Sequence, residues 1–141
     1  MILYLDTSSF VKFYVPEMES AAVKRAVEEA EVIATSRLAY VEARAAFARK
    51  RRERGLNPKA YRGILQDLDQ DWENYFIVDV SDALVKLAGL LAEKHALRGF
   101  DAIHLASAVI LRKQADRPVT FSCFDDRLSL AARREGLRPL P

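Results

Sequence analysis

The first ten residues constrain the fold of this chain more than any other stretch. Ile2–Leu5 is a run of four apolar residues that leads directly to Asp6 and then to the hydroxyl residues Thr7–Ser9. An uninterrupted apolar run is typical of a parallel strand covered by helices on both faces. The hydroxyl residues supply N-cap chemistry for a following helix. Asp6 is therefore expected at the C-terminal end of a central strand, where open α/β sheets bind ligands. A role as helix cap alone is the alternative.

The composition limits which ligands the chain can bind. With 141 residues, one domain spanning residues 1–141 is expected. The single cysteine, Cys123, excludes a disulfide framework and a cysteine-based zinc site, and the two histidines are His95 and His104. A bound metal would be held mainly by oxygen, which favours Mg²⁺ or Mn²⁺. The net charge of +2 is too small to indicate a polyanionic partner by itself.

The N-terminal stretch does not resemble a targeting or membrane-spanning segment. It lacks the charged start of a signal peptide, and Asp6 interrupts its apolar run. No window of the sequence holds the ~18 apolar residues that a membrane span needs. A cytoplasmic location is therefore expected.

Predicted strands and helices alternate along the whole chain. Strands are expected at residues 2–5, 32–35, 76–80 and 119–124, with a last one at 137–140. Helices are expected at 10–15, 20–31, 37–54, from 58 onward, 81–97, 100–113 and 126–135. The helix at 100–113 is nearly all apolar and is expected at the centre of the fold. This alternation predicts an α/β fold with a central parallel sheet between two layers of helices.

Four carboxylates lie where predicted strands end or the following helices begin. They are Asp6, Glu42, Asp101 and Asp125. These positions share one edge of a parallel sheet, so the four side chains are expected to converge. Such a cluster is unfavourable without a counter-charge, because like charges repel and burial adds a desolvation cost. A divalent cation removes that penalty, and it can activate water and stabilise the leaving oxygen in phosphodiester hydrolysis.

The motifs around these carboxylates resemble those of the PIN domain, and most closely those of VapC-type toxins of bacterial and archaeal toxin–antitoxin pairs. The motifs are Leu5-Asp6-Thr7-Ser8, Tyr40-Val41-Glu42, Phe100-Asp101-Ala102-Ile103-His104-Leu105-Ala106 and Phe124-Asp125-Asp126-Arg127-Leu128. Each motif is weak by itself, but all four occur in this order and spacing. The resemblance covers essentially the whole chain.

This resemblance implies a metal-dependent endoribonuclease that hydrolyses RNA phosphodiester bonds. It implies that Asp6, Glu42, Asp101 and Asp125 surround Mg²⁺ or Mn²⁺. It also implies a flavodoxin-like three-layer sandwich with about five parallel strands. The implied partners are a second copy of the chain in a homodimer and a small VapB-like antitoxin, with a heterotetramer or larger assembly in the complex.

One position departs from the family pattern. Two residues before the last aspartate the family usually has Thr or Ser, and this chain has Cys123. Ser122 is adjacent but is expected to point to the other face of its strand. Asp125 is preferred to Asp126 as the site carboxylate because of its spacing to Leu128, and Asp126 is expected to cap the last helix.

Four more side chains are candidates for supporting contacts or for binding substrate: Ser8, Arg98, His104 and Arg127. Ser8 can donate to a carboxylate or cap a helix, and Thr7 is expected to be a cap rather than a ligand. Arg98 and Arg127 can contact a scissile phosphate or form ion pairs. His104 follows Asp101 by three residues, on an adjoining part of one helix face. A packing or hydrogen-bonding role is expected for His104 rather than that of a catalytic base.

A basic cluster is the densest positive region of the sequence. It comprises Arg49–Arg52 and Arg54 at the end of a predicted helix. The cluster can neutralise RNA phosphates, or it can be a solvated helix end whose cations complement the helix dipole. The sequence leaves both roles open.

Other functions are less compatible with the pattern. A haloacid-dehalogenase-like phosphatase needs a second aspartate two residues after Asp6, where this chain has Ser8. A receiver-type domain needs an acidic pair at the first strand and a phosphoacceptor at the middle strand, and the end of the predicted strand at 76–80 fits that poorly. A PIN nuclease of RNA processing without an antitoxin, and a non-catalytic PIN-like interaction module, remain as alternatives.

Overall fold

The computed structural model describes residues 1–140, which form five strands and seven helices. The strands are β1 (Ile2–Leu5), β2 (Val32–Ser36), β3 (Phe76–Val78), β4 (Val119–Ser122) and β5 (Arg138–Pro139). The helices are α1 (Thr7–Tyr14), α2 (Ser20–Glu29), α3 (Leu38–Arg52), α4 (Pro58–Trp72), α5 (Asp82–His95), α6 (Gly99–Ala115) and α7 (Asp126–Arg134).

The strands form one parallel sheet in the order β3-β2-β1-β4-β5. The first strand is central, and its Leu3 lies opposite Ile33 on one side and Thr120 on the other. Consecutive side chains of β1 point to opposite faces. Ile2 and Tyr4 pack with α5, α6 and α7, whereas Leu3 and Leu5 pack with α1 to α4. The predicted α/β sandwich with about five parallel strands is thus confirmed.

Helix α6 lies in the buried middle of one helical layer. Leu105, Ala106 and Ala108 are fully buried, and the whole stretch from Leu105 to Val109 is inaccessible or nearly so. The helix is longer than the predicted 100–113, because it begins at Gly99 and ends at Ala115. Its first turn carries Asp101, so the apolar packing of α6 determines where that carboxylate lies.

The predicted caps of α1 and α7 are wrong. Asp6, not the hydroxyl residues after it, caps α1, and Asp125, not Asp126, caps α7. Both aspartates have extended backbone and accept a hydrogen bond from the amide three residues on, at 2.9 Å from Ser9 and 2.8 Å from Leu128. Asn57 and Ser81 accept the corresponding bonds at the starts of α4 and α5.

Several strands are shorter than predicted. Strand β3 ends at Val78 and β4 ends at Ser122, so Asp125 follows β4 by three residues instead of ending it. These extra residues are needed to turn the chain from the sheet into α7. Within residues 1–140, none of the helices combines the length and apolarity required to cross a lipid bilayer.

Glu135 connects the C-terminal ends of α5 and α7. Its Oε2 lies 2.7 Å from Lys94 Nζ and 2.7 Å from His95 Nε2. The bond from Lys94 lowers the pKa of Glu135, against the smaller opposing effect of partial burial, and the bond from His95 lowers it further. The stabilisation from a lowered pKa is present above the unfolded carboxyl's pKa and is lost as the pH falls through the folded value.

Glu135→Gln is expected to lower the free energy of unfolding at neutral pH by about 0.5–1 kcal/mol, since exposure of Lys94 screens part of the interaction. The difference from wild type should shrink below about pH 4, where the carboxyl of the unfolded chain is also protonated. Urea unfolding at several pH values measures this difference in the free energy of unfolding. The control is Glu93→Gln, at an exposed position. An equal loss at every pH would assign the effect to packing instead of charge.

Candidate active site

All four predicted carboxylates line one cavity at the C-terminal edge of the sheet. The cavity has a volume of about 230 Å³. Its lining side chains come from the β1–α1 junction, from α3, from the start of α6 and from the β4–α7 turn: Asp6, Thr7, Ser8, Lys12, Glu42, Arg98, Phe100, Asp101, His104, Phe124 and Asp125. The carboxyl ends of β1 and β4 are neighbours in the sheet, so the topology itself brings these turns together.

Asp6 is buried at the end of the central strand, with 5% of its surface exposed. Its Oδ1 accepts hydrogen bonds from the Ser8 hydroxyl at 2.8 Å and from the Ser9 amide at 2.9 Å. Burial raises the pKa of Asp6, although His104 and the bonds from Ser9 and Ser8 act in the opposite direction. Asp6 is thus a helix cap and a cavity-lining carboxylate at once, so the two roles do not exclude each other.

Glu42 extends from α3 and is held through Oε1. That oxygen accepts hydrogen bonds from Thr7 Oγ1 at 2.5 Å and from His104 Nε2 at 3.1 Å. Burial alone would raise the pKa of Glu42, but the bonds from His104 and Thr7 outweigh it and lower the pKa. Glu42 is therefore an anion at neutral pH.

Asp101 and Asp125 line the cavity from the starts of α6 and α7. Asp101 Oδ2 is 3.4 Å from Arg98 Nε, and this arginine side chain is 85% exposed. Asp125 is exposed and caps α7 through Oδ1. Both carboxylates sit at the N-terminal end of a helix, where the helix dipole favours negative charge.

Each of the four carboxylates binds the protein through one oxygen only. Asp6 Oδ2, Glu42 Oε2, Asp101 Oδ1 and Asp125 Oδ2 accept no hydrogen bond from residues 1–140. Lys12 and Arg98 are the cationic side chains of the lining, against four carboxylates. The formal charge of the cavity is therefore two units negative with His104 neutral. This excess and the free oxygens suit a hard divalent cation.

The carboxylates do not form a finished coordination shell. Among residues 1–140, no three His, Cys, Asp or Glu side chains are already arranged to hold a metal ion. A cation would have to draw the free oxygens toward one another.

The Cys123 thiol lies 3.7 Å from the Asp125 carbonyl oxygen, whereas the Ser122 hydroxyl bonds to none of the four carboxylates. Burial raises the pKa of the Cys123 thiol to about 12, and the negative charges of Asp6, Asp125 and Asp101 contribute to the rise. The thiol is thus protonated at neutral pH. Ser122 is buried and bonds to the Ser9 hydroxyl at 2.8 Å.

The other candidates differ in where the structure places them. Ser8 bonds to Asp6, and His104 bonds to Glu42. Arg98 lines the cavity, but Arg127 does not, because its guanidinium donates to the Ala96 carbonyl at 3.0 Å. That contact gives Arg127 a structural role between α7 and the end of α5.

Three lining residues have no role assigned from the sequence, namely Lys12, Phe100 and Phe124, and Thr7 has a role that differs from the predicted one. Thr7 donates to Glu42 and does not cap α1. Lys12 follows Ser8 by four residues and so lies on the same face of α1, a spacing that would have indicated it. Lys12 Nζ also lies 5.0 Å from the centre of the Phe124 ring. Phe124 belongs to a sequence motif, but the motif assigns it no role of its own.

The basic cluster at the end of α3 does not line this cavity. Arg49 and Lys50 pair with Glu53 and Glu17, at 3.2 Å and 3.0 Å. The guanidinium of Arg51 lies 5.0 Å from the centre of the Tyr61 ring. These contacts favour the interpretation of the cluster as a solvated helix end.

Comparison with known proteins agrees with this fold. The family model of the PIN domain matches residues 3–133. The chain is 35% identical over 144 residues to Ribonuclease VapC45 of Mycobacterium tuberculosis strain CDC 1551 / Oshkosh, with 99% of this chain and 95% of the relative covered. This chain belongs to the PIN domain family.

Two solved structures share its fold. The crystal structure of VapC20 from Mycobacterium tuberculosis, described as a sarcin–ricin loop cleaving toxin, matches with a TM-score of 0.67 at 17% identity, over 92% of this chain and 94% of that one. A toxin–antitoxin complex from Klebsiella pneumoniae matches with a TM-score of 0.58 at 16% identity, over 84% and 83% of the two chains.

The raised pKa of Asp6 predicts how stability depends on pH in EDTA. The ionised carboxylate is less favourable in the folded chain than in the unfolded chain, so the contribution of Asp6 to wild-type stability should fall as the pH rises from ~3.9 through the higher folded pKa. Asp6→Asn lacks this loss. The free energy of unfolding of the variant, relative to wild type, should therefore increase between about pH 4 and about pH 7. Exposed Asp67→Asn on α4 is the control, and a pH-independent difference would contradict the prediction.

Proposed function

We propose that this chain is a metal-dependent endoribonuclease and the toxin of a VapBC-type toxin–antitoxin pair. The observation that carries the proposal is the convergence of Asp6, Glu42, Asp101 and Asp125 on one cavity, each with a free oxygen. The name of the 35%-identical relative, a ribonuclease, supports RNA as the substrate. We also propose that residues 1–141 are a single PIN domain and that two copies form a homodimer.

The four carboxylates would hold Mg²⁺ or Mn²⁺ through their free oxygens. Such a cation supplies Lewis-acid stabilisation of the phosphate and of the leaving oxygen. Asp6 is placed to accept a proton from an attacking water, because it lines the cavity and only its Oδ1 accepts hydrogen bonds from Ser8 and Ser9. Lys12 and Arg98 line the same cavity, where they can bind phosphate oxygens and orient the RNA backbone.

The proposed partner is a small VapB-like antitoxin. A second cavity of about 480 Å³ adjoins the carboxylates, with Phe100 as its exposed apolar wall at 60% exposure. An arginine from the partner would fit the acidic cavity, since its planar guanidinium pairs bidentately with carboxylates. The complex is proposed to be a heterotetramer or larger, and the toxin–antitoxin complex among the solved structures with this fold is consistent with such a partner.

Cleavage of RNA by the purified protein is expected to require a divalent cation. Structured RNAs incubated with the protein should be cut in Mg²⁺ or Mn²⁺ and should remain intact in excess EDTA, because without the cation four carboxylates repel the phosphate. Re-addition of Mn²⁺ to the same sample is the control for irreversible damage. Full cleavage in EDTA would refute the proposed chemistry.

Asp101→Asn is expected to reduce cleavage by about 100-fold or more, because it removes one charge and one anchor from the cation site. In EDTA its stability should not fall, and relief of repulsion can raise it on the order of 1 kcal/mol. Added Mg²⁺ should raise the melting temperature of the wild type more than that of the variant.

The matched control is Asp116→Asn, at the C-terminal cap of the same helix. Asp116 is exposed and has a left-handed backbone with φ of 51°, which asparagine tolerates. This control should cleave RNA and respond to Mg²⁺ as the wild type does. If Asp101→Asn is destabilised in EDTA and still gains as much from Mg²⁺, then Asp101 only stabilises the start of α6.

A further inference from the structure

A buried hydrogen-bond network extends from the central strand to Glu42. The Tyr4 hydroxyl lies 2.8 Å from His104 Nδ1, and His104 Nε2 lies 3.1 Å from Glu42 Oε1 and 3.0 Å from Thr7 Oγ1. Tyr4 is fully buried and His104 is 3% exposed. These side chains come from β1, α1, α3 and α6, so four separate elements meet at one carboxylate.

The chemistry of Glu42 assigns the hydrogens of the network. An ionised carboxylate only accepts hydrogen bonds, so His104 Nε2 carries the hydrogen that it donates to Glu42. In the neutral imidazole Nδ1 is then an acceptor, and the Tyr4 hydroxyl donates to it. Tyr4 is itself held in place, because its ring stacks on Phe121 with centroids 5.4 Å apart. Tyr4 thereby selects the tautomer and orientation of His104 that Glu42 needs.

The two donors to Glu42 use the same oxygen. Thr7 Oγ1 and His104 Nε2 both bond to Oε1, which leaves Oε2 without a hydrogen bond in a residue that lines the cavity. A glutamate has three side-chain torsions and on a helix surface would sample many rotamers. Two bonds to one oxygen remove that freedom before any ligand arrives, which lowers the cost of binding one.

We propose that His104, oriented by Tyr4 and assisted by Thr7, is a positioning residue that holds Glu42 with one oxygen presented to a divalent cation. The cation comes from the function proposed above, on which this inference rests. His104 acts through Glu42 and needs no contact with RNA. A packing role alone predicts a loss of folding stability without a specific change in cation affinity, whereas positioning predicts weaker cation binding in a protein that still folds.

The test is the dissociation constant for Mn²⁺, measured by calorimetry on the RNA-free protein. His104→Leu keeps the bulk but removes both nitrogens, and Mn²⁺ binding should weaken about 10- to 100-fold. His104→Gln should restore much of the affinity, because its amide nitrogen can reach the position of Nε2. Tyr4→Phe removes only the hydroxyl, and Thr7→Val removes the second donor. Each of these two should weaken Mn²⁺ binding by a smaller factor than His104→Leu.

Thr35→Val is the matched control. Thr35 is fully buried, and its hydroxyl donates to the Leu5 carbonyl at 2.7 Å, outside the network. It should cost stability without changing Mn²⁺ affinity. Thermal unfolding in EDTA identifies any variant that does not fold, and partly exposed Thr7 provides a variant that is less disruptive than a change at His104.

The outcomes separate this inference from the proposed function. Wild-type Mn²⁺ affinity in folded His104→Leu and Thr7→Val overturns the positioning role, as does an equal loss in Thr35→Val. Absence of Mn²⁺ binding by the wild type also overturns it. If the wild type binds Mn²⁺ but cleaves no RNA, the ribonuclease proposal fails, while the Mn²⁺ affinities of the variants still decide whether His104 positions Glu42.

Discussion

The burial of a negative charge at the end of the central strand is the constraint on which the rest of this site depends. Asp6 is almost inaccessible, and the neighbouring turns bring three more carboxylates to the same cavity. Removing a carboxylate from water costs several kcal/mol even after relaxation. The fold must offset this cost with fixed dipoles and hydrogen bonds, and the negative charge that remains determines which ligand the cavity can take.

Helix N-termini supply much of that compensation. Asp6 caps α1, Asp125 caps α7, and Asp101 lies in the first turn of α6. At an exposed site, a helix N-terminus stabilises one carboxylate by about 0.3–1 kcal/mol. This is less than the cost of burying the carboxylate. The helix ends therefore organise the carboxylates without neutralising them, which leaves the counter-charge to the divalent cation of the proposed function.

The negative charge of Glu42 is stabilised in a different way. It lies inside α3, away from a helix end, and it relies on side chains of other elements, His104 and Thr7. Hydrogen bonds to a charged group are about twice as strong as those between neutral groups, so two of them outweigh the effect of partial burial on the pKa. Within one site, some carboxylates are thus stabilised by the backbone of a helix N-terminus, and Glu42 is stabilised by side-chain donors.

The sequence alone was enough to predict the fold class and to identify the four carboxylates that line the cavity. The apolar run before Asp6, the alternation of strands and helices, and the four acidic motifs depend on local patterns and their order along the chain, so they were predictable. It did not determine which aspartates cap helices, since Asp125 and Asp126 are equivalent until the turn after β4 is built. Nor did it indicate that Thr7 and His104 meet at Glu42, or that Arg127 turns away to Ala96. These contacts join residues 31 to 97 positions apart, and only tertiary packing brings such residues within hydrogen-bonding distance.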